Sequence, residues 1–484
     1  MCPYNQITTC ALKFLLILCC LCSTSYINAQ SYSINQNQVF NDVKVLSSDN
    51  MQGRFTGSEG ERNAAEYIAN RFDQIGLLPY DSKFILPFEL EKVYWDEVYI
   101  EAQGRRLDNF EQMVFIGYNA ENEEVEKELI FGGTGTSLEL SKLIVKDKLV
   151  LLFLDNMRAA YPIINILKKS GAYGVILANP NNEAQFNSML RGFQDHILQP
   201  RFYLPSTKSS LDTLTFINQF IIPNDYIKTV ANASIGYLKK LVKSKRIDQF
   251  EPVKIKIKCE KKVVALTANN VAGYIKGSHH KSIVISAHYD HLGQTEDNIY
   301  YGADDNAAGI AGILEIAKAF SYRKDLPYNM IFVAFSAEEQ GLRGSKFFVE
   351  EYAMDTTHIQ VNFNLDMISR IDHLHKESKS DYLYCVGTER YPNYIKLFQF
   401  ADSLYKDCSF EFSHNNIYSR SDQYSFSNQG IPSFMFFSGF HADYHQYSDT
   451  YDKIDPESLA SRLQLIYHVI DAMQTDSYIS EFRD

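Results

Sequence analysis

The sequence has few cysteines outside its first residues, and this limits how the fold is stabilised. It contains 484 residues, of which 8 are cysteine and 1 is tryptophan. Only Cys259, Cys385 and Cys408 lie beyond residue 22. Three cysteines cannot form a disulfide framework, and at most one bridge is possible among them. The fold must therefore be stabilised by its core.

Basic residues and long apolar runs are also scarce. There are 47 Lys and Arg against 59 Asp and Glu, which gives a formal charge of −12. A protein that neutralises phosphates needs a basic surface, so we expect no nucleic-acid partner. Beyond the first residues, the chain has no apolar run of about 18 residues that could span a membrane. It also has no internal repeat or low-complexity tract.

The N-terminal residues have the pattern of a secretory signal. Residues 14–22 (FLLILCCLC) follow Lys13, and small and polar residues lead to Ala29. A charged start, a short apolar run and a small residue at the break predict a signal peptide, residues 1–29, cleaved after Ala29. We therefore expect a secreted or periplasmic protein. A core helix or a lipid anchor on one of the early cysteines are the alternatives.

The remaining composition is that of a globular protein with more than one core. Hydrophobic residues make up 45% and charged residues 22%, close to the average for soluble domains. The 32 tyrosines and 32 phenylalanines favour sheet-rich cores. Since one core stops growing at roughly 250–300 residues, we expect a large domain with a second domain or an insertion.

Apolar periodicity divides the chain into a main domain and an insert. Residues 58–78 have apolar side chains at helical spacing, with Ser58 as the cap and Gly76 as the stop. A different pattern follows, with short β-like runs at 149–154 and 173–178 and one helix at 160–170. We predict that residues 30–93 and 251–484 form the main domain. Residues 94–250 should form an inserted, smaller, β-rich α/β domain.

In the main domain, predicted strands alternate with helices. The strands are predicted at 282–287, 329–335, 361–367 and 433–437, and a helix at 306–320. This alternation predicts an α/β fold with a mainly parallel central sheet covered by helices on both faces. Ligands bind at the carboxyl ends of the strands in such sheets.

Side chains that bind metals follow these strands in succession. They are His288, Asp290 and His291; Asp304 and Asp305; Glu338 and Glu339; Asp366; and His441, Asp443, His445 and Asp449. Each group has an ordinary explanation alone, such as a helix cap or a solvated loop. Their recurrence at successive strand ends favours a metal site. Imidazole and carboxylate ligands without thiolates suit zinc or a similar divalent ion.

Five strings also resemble a known family. AHYDH (287–291), GADDNAAG (302–309), SAEEQGLRGS (336–345), NLDMIS (364–369) and DYHQYSDT (443–450) are similar to those of the co-catalytic zinc aminopeptidases typified by bacterial leucyl aminopeptidase. Relatives of that family include glutamate carboxypeptidase and glutaminyl cyclase. Gly53, Arg54 and Gly57 before the first helix resemble the family's opening segment. Residues 146–179 resemble the protease-associated insert that many members carry.

The resemblance implies a catalytic role for particular residues. His288 and Asp366 would hold one Zn²⁺, Glu339 and His445 the other, and Asp305 would bridge the two ions. Two such ions share a hydroxide and polarise a carbonyl. Glu338 would be the general base that takes a proton from the attacking water and delivers it to the leaving amine.

Further roles are assigned to neighbouring residues. Asp290, two residues beyond His288, would fix the tautomer of that imidazole, and Asp449 would do the same near His445. Tyr418 aligns with a tyrosine that stabilises the oxyanion in some members of the family. We expect His291, His441 and Asp304 to be supporting residues rather than ligands. Gln423 departs from the family pattern, where a histidine is common.

The leading hypothesis is thus a secreted di-zinc aminopeptidase with a peptide substrate. A carboxypeptidase of the glutamate carboxypeptidase type would need basic residues that grip the substrate carboxylate. A glutaminyl cyclase would work with one zinc. A binding protein without catalytic activity would have lost ligands, whereas the positions that the resemblance requires are all present.

Overall fold

The computed structural model describes most of the chain. The described residues are 32–117, 119–154, 160–179, 200–205, 217–352, 358–375 and 381–474. The predicted signal, residues 1–29, therefore lies outside the described residues. Among the residues described, no helix is both long and apolar enough to cross a bilayer.

The regular elements are numbered in chain order. The strands are β1 Leu78–Pro79, β2 Ile85–Ala102, β3 Arg105–Asp108, β4 Val114–Ile116, β5 Glu121–Phe131, β6 Leu149–Phe153, β7 Gly174–Ala178, β8 Arg201–Tyr203, β9 Asn218–Ile221, β10 Val253–Ile275, β11 Ser282–His288, β12 Asn329–Phe335, β13 Ile359–Leu365, β14 Tyr382–Val386, β15 Ser409–Glu411 and β16 Ser433–Phe437. The helices are α1 Gln36–Leu46, α2 Glu59–Ile75, α3 Ser137–Leu140, α4 Ala160–Lys169, α5 Asn224–Ala231, α6 Ile235–Ser244, α7 Ala308–Ser321, α8 Arg343–Glu351, α9 Ile395–Leu404, α10 Gln423–Ser427 and α11 Pro456–Met473. Short 3₁₀ turns cover Asp49–Arg54, Ile247–Gln249, Pro392–Tyr394, Asn415–Arg420 and Tyr451–Lys453, and a wide turn covers Ala303–Ala307.

The chain divides into two compact units. The first consists of the chain up to Leu86, Val271–Phe335 and the chain from Ala353 onward. The second consists of Pro87–Asn270 and Ser336–Tyr352. The sequence placed the changes after residues 93 and 250, whereas β2 and β10 run on across the changes between units. Apolar periodicity does not show where a continuous strand passes from one unit to the other.

The first unit has a mainly parallel sheet. Its strand order is β15-β14-β16-β13-β11-β12, with the last residues of β10 and then β1 beyond it. Strand β11 runs parallel to both β12 and β13, and β13 runs parallel to β16. Helices α1, α2, α7, α9 and α11 contribute to its apolar core. The predicted α/β fold is confirmed, and the carboxyl ends of β11, β12, β13 and β16 lie at one edge.

Helix α2 shows how local sequence sets an element of this unit. It begins after Ser58, whose side-chain oxygen accepts from the amide of Glu61 at 3.2 Å. It ends at Gly76, which has a φ of 90° in the left-handed region. Its buried face includes Ile68 and Phe72. The expected cap, stop and buried face are confirmed.

The helix that follows β11 begins later than the sequence predicts. Helix α7 starts at Ala308 instead of residue 306. Asp305 and Asn306 have non-helical dihedral angles, and the Asn306 side chain accepts from the amide of Gly309 at 3.0 Å. Asn306 also accepts from the amide of Met367 at 3.3 Å. The Asp-Asp-Asn segment is therefore a wide turn that presents Asp305, and the Asn306 side chain bonds to the first turn of α7.

The second unit has its own sheet and core. Strands β5, β6, β7 and β9 are parallel in this order, β4 is antiparallel to β9, and β5 is antiparallel to β10. Strands β6 and β7 are fully buried. The predicted smaller β-rich α/β insert is confirmed as a fold class. Cys259 lies in this core, and Cys385 and Cys408 lie in the core of the first unit, all three as free buried thiols.

The left-handed stop of α2 gives a stability prediction. A Cβ added at Gly76 meets no atom of the described chain within 4 Å, so Gly76→Ala tests the backbone conformation alone. Because an L-residue is disfavoured there, the free energy of unfolding should fall by about 1–2 kcal/mol. Chemical denaturation measures it. In the control Gly236→Ala, within α6 and equally open, stability should hold or rise. Equal effects of both changes would contradict this account.

Candidate metal centre

The candidate site begins where two parallel strands end side by side. His288 is the last residue of β11, and Asp366 follows the last residue of β13. Because the strands are neighbours in register, their carboxyl ends meet at the same edge. The His288 Nε2 atom lies 3.4 Å from Asp366 Oδ1. The predicted pair of ligands for one cation is thus brought together.

Asp305 lies between the histidines. Its Oδ1 is 3.3 Å from His288 Nε2, and its Oδ2 is 3.2 Å from His445 Nε2. The two oxygens of one carboxylate therefore face two histidines that are far apart in sequence. This is the geometry expected of a carboxylate that bridges two cations.

The surroundings of Asp305 favour its charged form. Burial by itself would raise the pKa of this carboxyl group. Hydrogen bonds with His288 and His445, followed by the charges of His291 and His288, outweigh burial and hold the pKa well below the ordinary value. A buried carboxylate of this kind requires positive partners.

His291, which the sequence predicts to be a supporting residue of the site, also lies in this cluster. Its Nδ1 lies 3.8 Å from Asp305 Oδ2, and its ring centroid is 5.9 Å from that of His445. This position agrees with a residue close to the metal site, and the expectation that His291 supports the site stays a prediction. Its position three residues after His288 was the available signal, because a short loop can return a side chain to the same edge.

The residues present fit a divalent cation. Ligand atoms of His288 and Asp366 lie within 4.8 Å of each other, and so do those of His291 and Asp305. The donors are imidazoles and carboxylates, and these four residues are buried or half-buried. Nitrogen and oxygen donors without thiolates suit zinc. The first unit alone thus supplies donors for such an ion.

Asp290 differs from its predicted role. The Nδ1 of His288 is hydrogen-bonded to the backbone carbonyl of Asp290 at 3.1 Å, whereas the nearest carboxylate oxygen is 3.9 Å away. The carbonyl, and not the carboxylate, therefore fixes the tautomer that leaves Nε2 facing Asp305. The Asp290 carboxylate accepts from the hydroxyl of Thr56 at 3.1 Å. The contact expected of the Asp290 carboxylate is thus made by the backbone carbonyl of the same residue.

Glu338 and Glu339 follow β12 closely. Phe335, the last residue of β12, pairs in register with His288, and the amide of Tyr289 donates to its carbonyl at 2.9 Å. Glu338 is buried and Glu339 is half-buried. Their segment groups with the second unit. The roles of base and ligand therefore stay predictions.

Tyr418 does not have the geometry expected of an oxyanion donor. Its hydroxyl donates to the backbone carbonyl of Ser433 at 2.9 Å, and its ring is buried. Ser433 is the first residue of β16, whereas Asp366 lies level with the opposite end of that strand. The hydroxyl proton is therefore engaged at the far edge of the sheet. The chain has 32 tyrosines, and nothing in the sequence indicated to which end of β16 the Tyr418 hydroxyl would point.

A second layer of polar groups holds the Asp305 turn. Asp449 Oδ2 accepts from the amides of Asp304 and Asp305 at 3.0 and 3.1 Å. Burial, followed by the negative charge of Asp304, raises the pKa of Asp449 to about 6. Asp304 in turn contacts His441 at 3.1 Å. Asp449 therefore supports the turn, and its expected role near His445 stays a prediction.

An aromatic row lies beside His445. The ring of Tyr444 stacks on His445 with centroids 3.9 Å apart, and Phe440 packs on Tyr444 at 5.0 Å. Phe437 continues the row at 5.0 Å from Phe440. The Tyr444 hydroxyl accepts from Arg420 at 3.3 Å. This apolar wall can contact an apolar group that enters beside His445.

Fold and cluster together define a domain of the metallopeptidase class. Residues 270–470 match the model described as Peptidase family M28. This match confirms the resemblance to co-catalytic zinc aminopeptidases for this part of the chain.

Relatives and solved structures agree with this assignment. Aminopeptidase YwaD of Bacillus subtilis (strain 168) is 28% identical over 212 residues, which cover 41% of this chain and 43% of that protein. A probable zinc metalloprotease of Pyricularia oryzae is 33% identical over 107 residues, 21% of each chain. The alignments thus span less than half the length of these curated relatives.

Two solved structures share the fold over nearly the full length. The aminopeptidase from Aneurinibacillus sp. strain AM-1 has a TM-score of 0.55 at 22% identity, covering 90% of this chain and 93% of that one. The zinc aminopeptidase BSAP from Bacillus subtilis has a TM-score of 0.53 at 19% identity, covering 92% of this chain and 96% of that one. At this identity the likeness shows the fold.

The bonds of Asp449 give a prediction about stability. Asp449→Ala should lower the free energy of unfolding by about 2 kcal/mol or more, because the buried amides of Asp304 and Asp305 lose their acceptor. Asp449→Asn should cost clearly less, because its side-chain oxygen can still accept from both. Thermal and chemical denaturation measure the losses. Asp452→Ala, at an exposed side chain nearby, is the control and should have little effect. An Asn variant as unstable as the Ala variant would contradict this role.

Proposed function

We propose that this protein is an exported aminopeptidase that requires two Zn²⁺ ions and removes N-terminal residues from peptides. The observation that carries the proposal is the convergence of His288, His445 and His291 on the buried carboxylate of Asp305. Apolar side chains of similar size would often stabilise a fold as well as a buried cluster of paired charges does. The presence of such a cluster here therefore favours a functional role.

The residues would share the ions as follows. His288 and Asp366 would hold one ion, Glu339 and His445 the other, and Asp305 would bind both. His291, which faces Asp305 Oδ2, would support the second ion. Zinc in such a site supplies Lewis acidity and makes water a better nucleophile near neutral pH.

The protein side chains would carry the proton transfers. Glu338 would accept the proton of the attacking water and deliver it to the leaving amine. The backbone carbonyl of Asp290 keeps the proton of His288 on Nδ1, so that Nε2 stays available as a ligand. The aromatic row from Phe437 to Tyr444 would exclude water on one side and contact the substrate's apolar groups.

Relatives support an aminopeptidase. Aminopeptidase YwaD and the zinc aminopeptidase BSAP are both named for this activity. A probable lipoprotein aminopeptidase of Mycobacterium tuberculosis, LpqL, is 26% identical over 225 residues. Export of the present chain, with cleavage near Ala29, rests on the apolar run behind Lys13. A protease-associated role for residues 94–250 rests on the resemblance of residues 146–179.

Glu338→Gln tests the proposed chemistry. The amide keeps the size of the side chain but cannot accept the proton, so kcat on an aminoacyl substrate should fall roughly 10²–10⁴-fold. Zinc content, measured by elemental analysis, should stay at two ions per chain. Glu351→Gln, an exposed glutamate in the same segment, should keep full activity. Unchanged turnover in Glu338→Gln would refute the base assignment.

Blocked peptides decide between the two exopeptidase directions. The wild-type protein should hydrolyse a C-terminally amidated peptide and leave its N-acetylated counterpart intact, because a free α-ammonium complements the carboxylates of the site. A carboxypeptidase is the second candidate, since the exposed Arg420 donates to Tyr444 beside His445 and could contact a carboxylate. The reverse pattern of cleavage would establish it. Chelator should abolish, and zinc restore, whichever activity is found.

A further inference from the structure

The buried guanidinium of Arg54 joins the two segments that carry His288 and Asp305. Its Nε donates to the carbonyl of Tyr289 at 2.6 Å, and its Nη2 donates to the carbonyl of Gly302 at 2.9 Å. Tyr289 is the residue after His288, and Gly302 directly precedes the turn that presents Asp305. One side chain thus contacts both segments within a few residues of their ligands.

The remaining bonds of Arg54 tie these segments to the helical layer. Its Nη1 donates to the carbonyl of Leu46, the last residue of α1, at 2.6 Å, and to that of Tyr301 at 2.7 Å. The side chain is fully buried. A planar fork with five donors can satisfy several carbonyls at fixed angles, which an ammonium group cannot do. The guanidinium therefore fixes the spacing between these backbone segments.

The backbone around Arg54 reinforces the same connection. The amide of His291 donates to the carbonyl of Arg54 at 3.2 Å, and that of Gly293 donates to the carbonyl of Gly53 at 2.9 Å. A Cβ at Gly53 would lie only 2.1 Å from the Gly293 carbonyl oxygen. Glycine at this position, with a φ of 66°, lets the turn at Gly53 and Arg54 approach closely the loop from His291 to Gly293, here called the histidine loop.

We propose that Arg54 is a positioning residue of the metal centre, which holds His288 and Asp305 at the separation that a divalent cation requires. This inference rests on the proposed function, because it assumes that these two residues bind the ion. The bonds of its side chain to Tyr289 and Gly302 reach the backbone that carries these two residues. Its loss would allow the two segments to move apart, and the affinity for the ion would fall.

The test measures affinity for Zn²⁺ by titration of the full chain against a chromogenic chelator of known affinity. Arg54→Met should weaken binding about 10- to 100-fold, the range for partners that orient metal ligands. Arg54→Lys keeps the charge but loses the fork, so its affinity should lie between those of wild type and Arg54→Met. Substitution with Co²⁺ gives a second reading, because its absorption spectrum reports ligand geometry and should change in the same order.

Arg71→Met is the matched control for general destabilisation. Arg71 forms a two-pronged ion pair with the buried Asp42 on α1, with both contacts at 3.0 Å, in the same unit as Arg54. Its loss should lower the melting temperature, but neither partner contacts the histidine loop or the Asp305 turn through these bonds. This variant should therefore bind Zn²⁺ as the wild type does. Equal weakening in Arg71→Met and Arg54→Met would overturn the proposal.

The outcomes separate this inference from the proposed function. If wild type binds no zinc and hydrolyses no peptide, the proposed function fails, and this inference fails with it. If wild type binds zinc and is active but Arg54→Met binds zinc equally well, only the positioning role is overturned. Should Arg54→Met not fold, Arg54→Lys decides, and wild-type affinity and an unchanged cobalt spectrum in that variant would overturn the proposal.

Discussion

The buried carboxylate of Asp305 is the constraint on which the rest of the site depends. A carboxylate without water around it is stable only beside positive or proton-donating partners. Asp305 faces His288 through one oxygen and His445 through the other. The loop after β11 and the chain beyond β16 must therefore reach the same point. The mainly parallel sheet makes this possible, because it brings the strand ends that precede these segments to one edge.

Buried polar side chains also lie on β11 and β13 just before His288 and Asp366. Ser286 and Asn364 precede His288 and Asp366 by two residues, so both pairs lie on the same face of β11 and β13. The Ser286 hydroxyl donates to Asn364 Oδ1 at 2.8 Å. Asn364 donates in turn to Ser421 at 2.9 Å. Because a slip by one residue would leave these groups unpaired in the core, these bonds fix the register that aligns His288 with Asp366.

The sequence predicted those features that depend on local pattern. Strands β12 and β16 have the predicted bounds, and Ser58 and Gly76 delimit α2, because alternation, caps and stops are local signals. The directions of side chains in the irregular segments could not be predicted. Tyr418 bonds to the far end of β16, and Asp290 acts through its carbonyl. These directions are set by contacts between residues that are far apart in sequence.

Two neighbouring carboxyl groups show where positive charge is required. The pKa of Asp305 is held low, because hydrogen bonds with two histidines outweigh burial. The pKa of Asp449 is raised, because burial and the nearby charge of Asp304 both oppose ionisation. Asp449 nevertheless only has to accept two backbone N–H groups, which a neutral oxygen can also do. The two groups therefore have different roles: Asp305 carries the negative charge that faces His288 and His445, and Asp449 holds the backbone that presents Asp305.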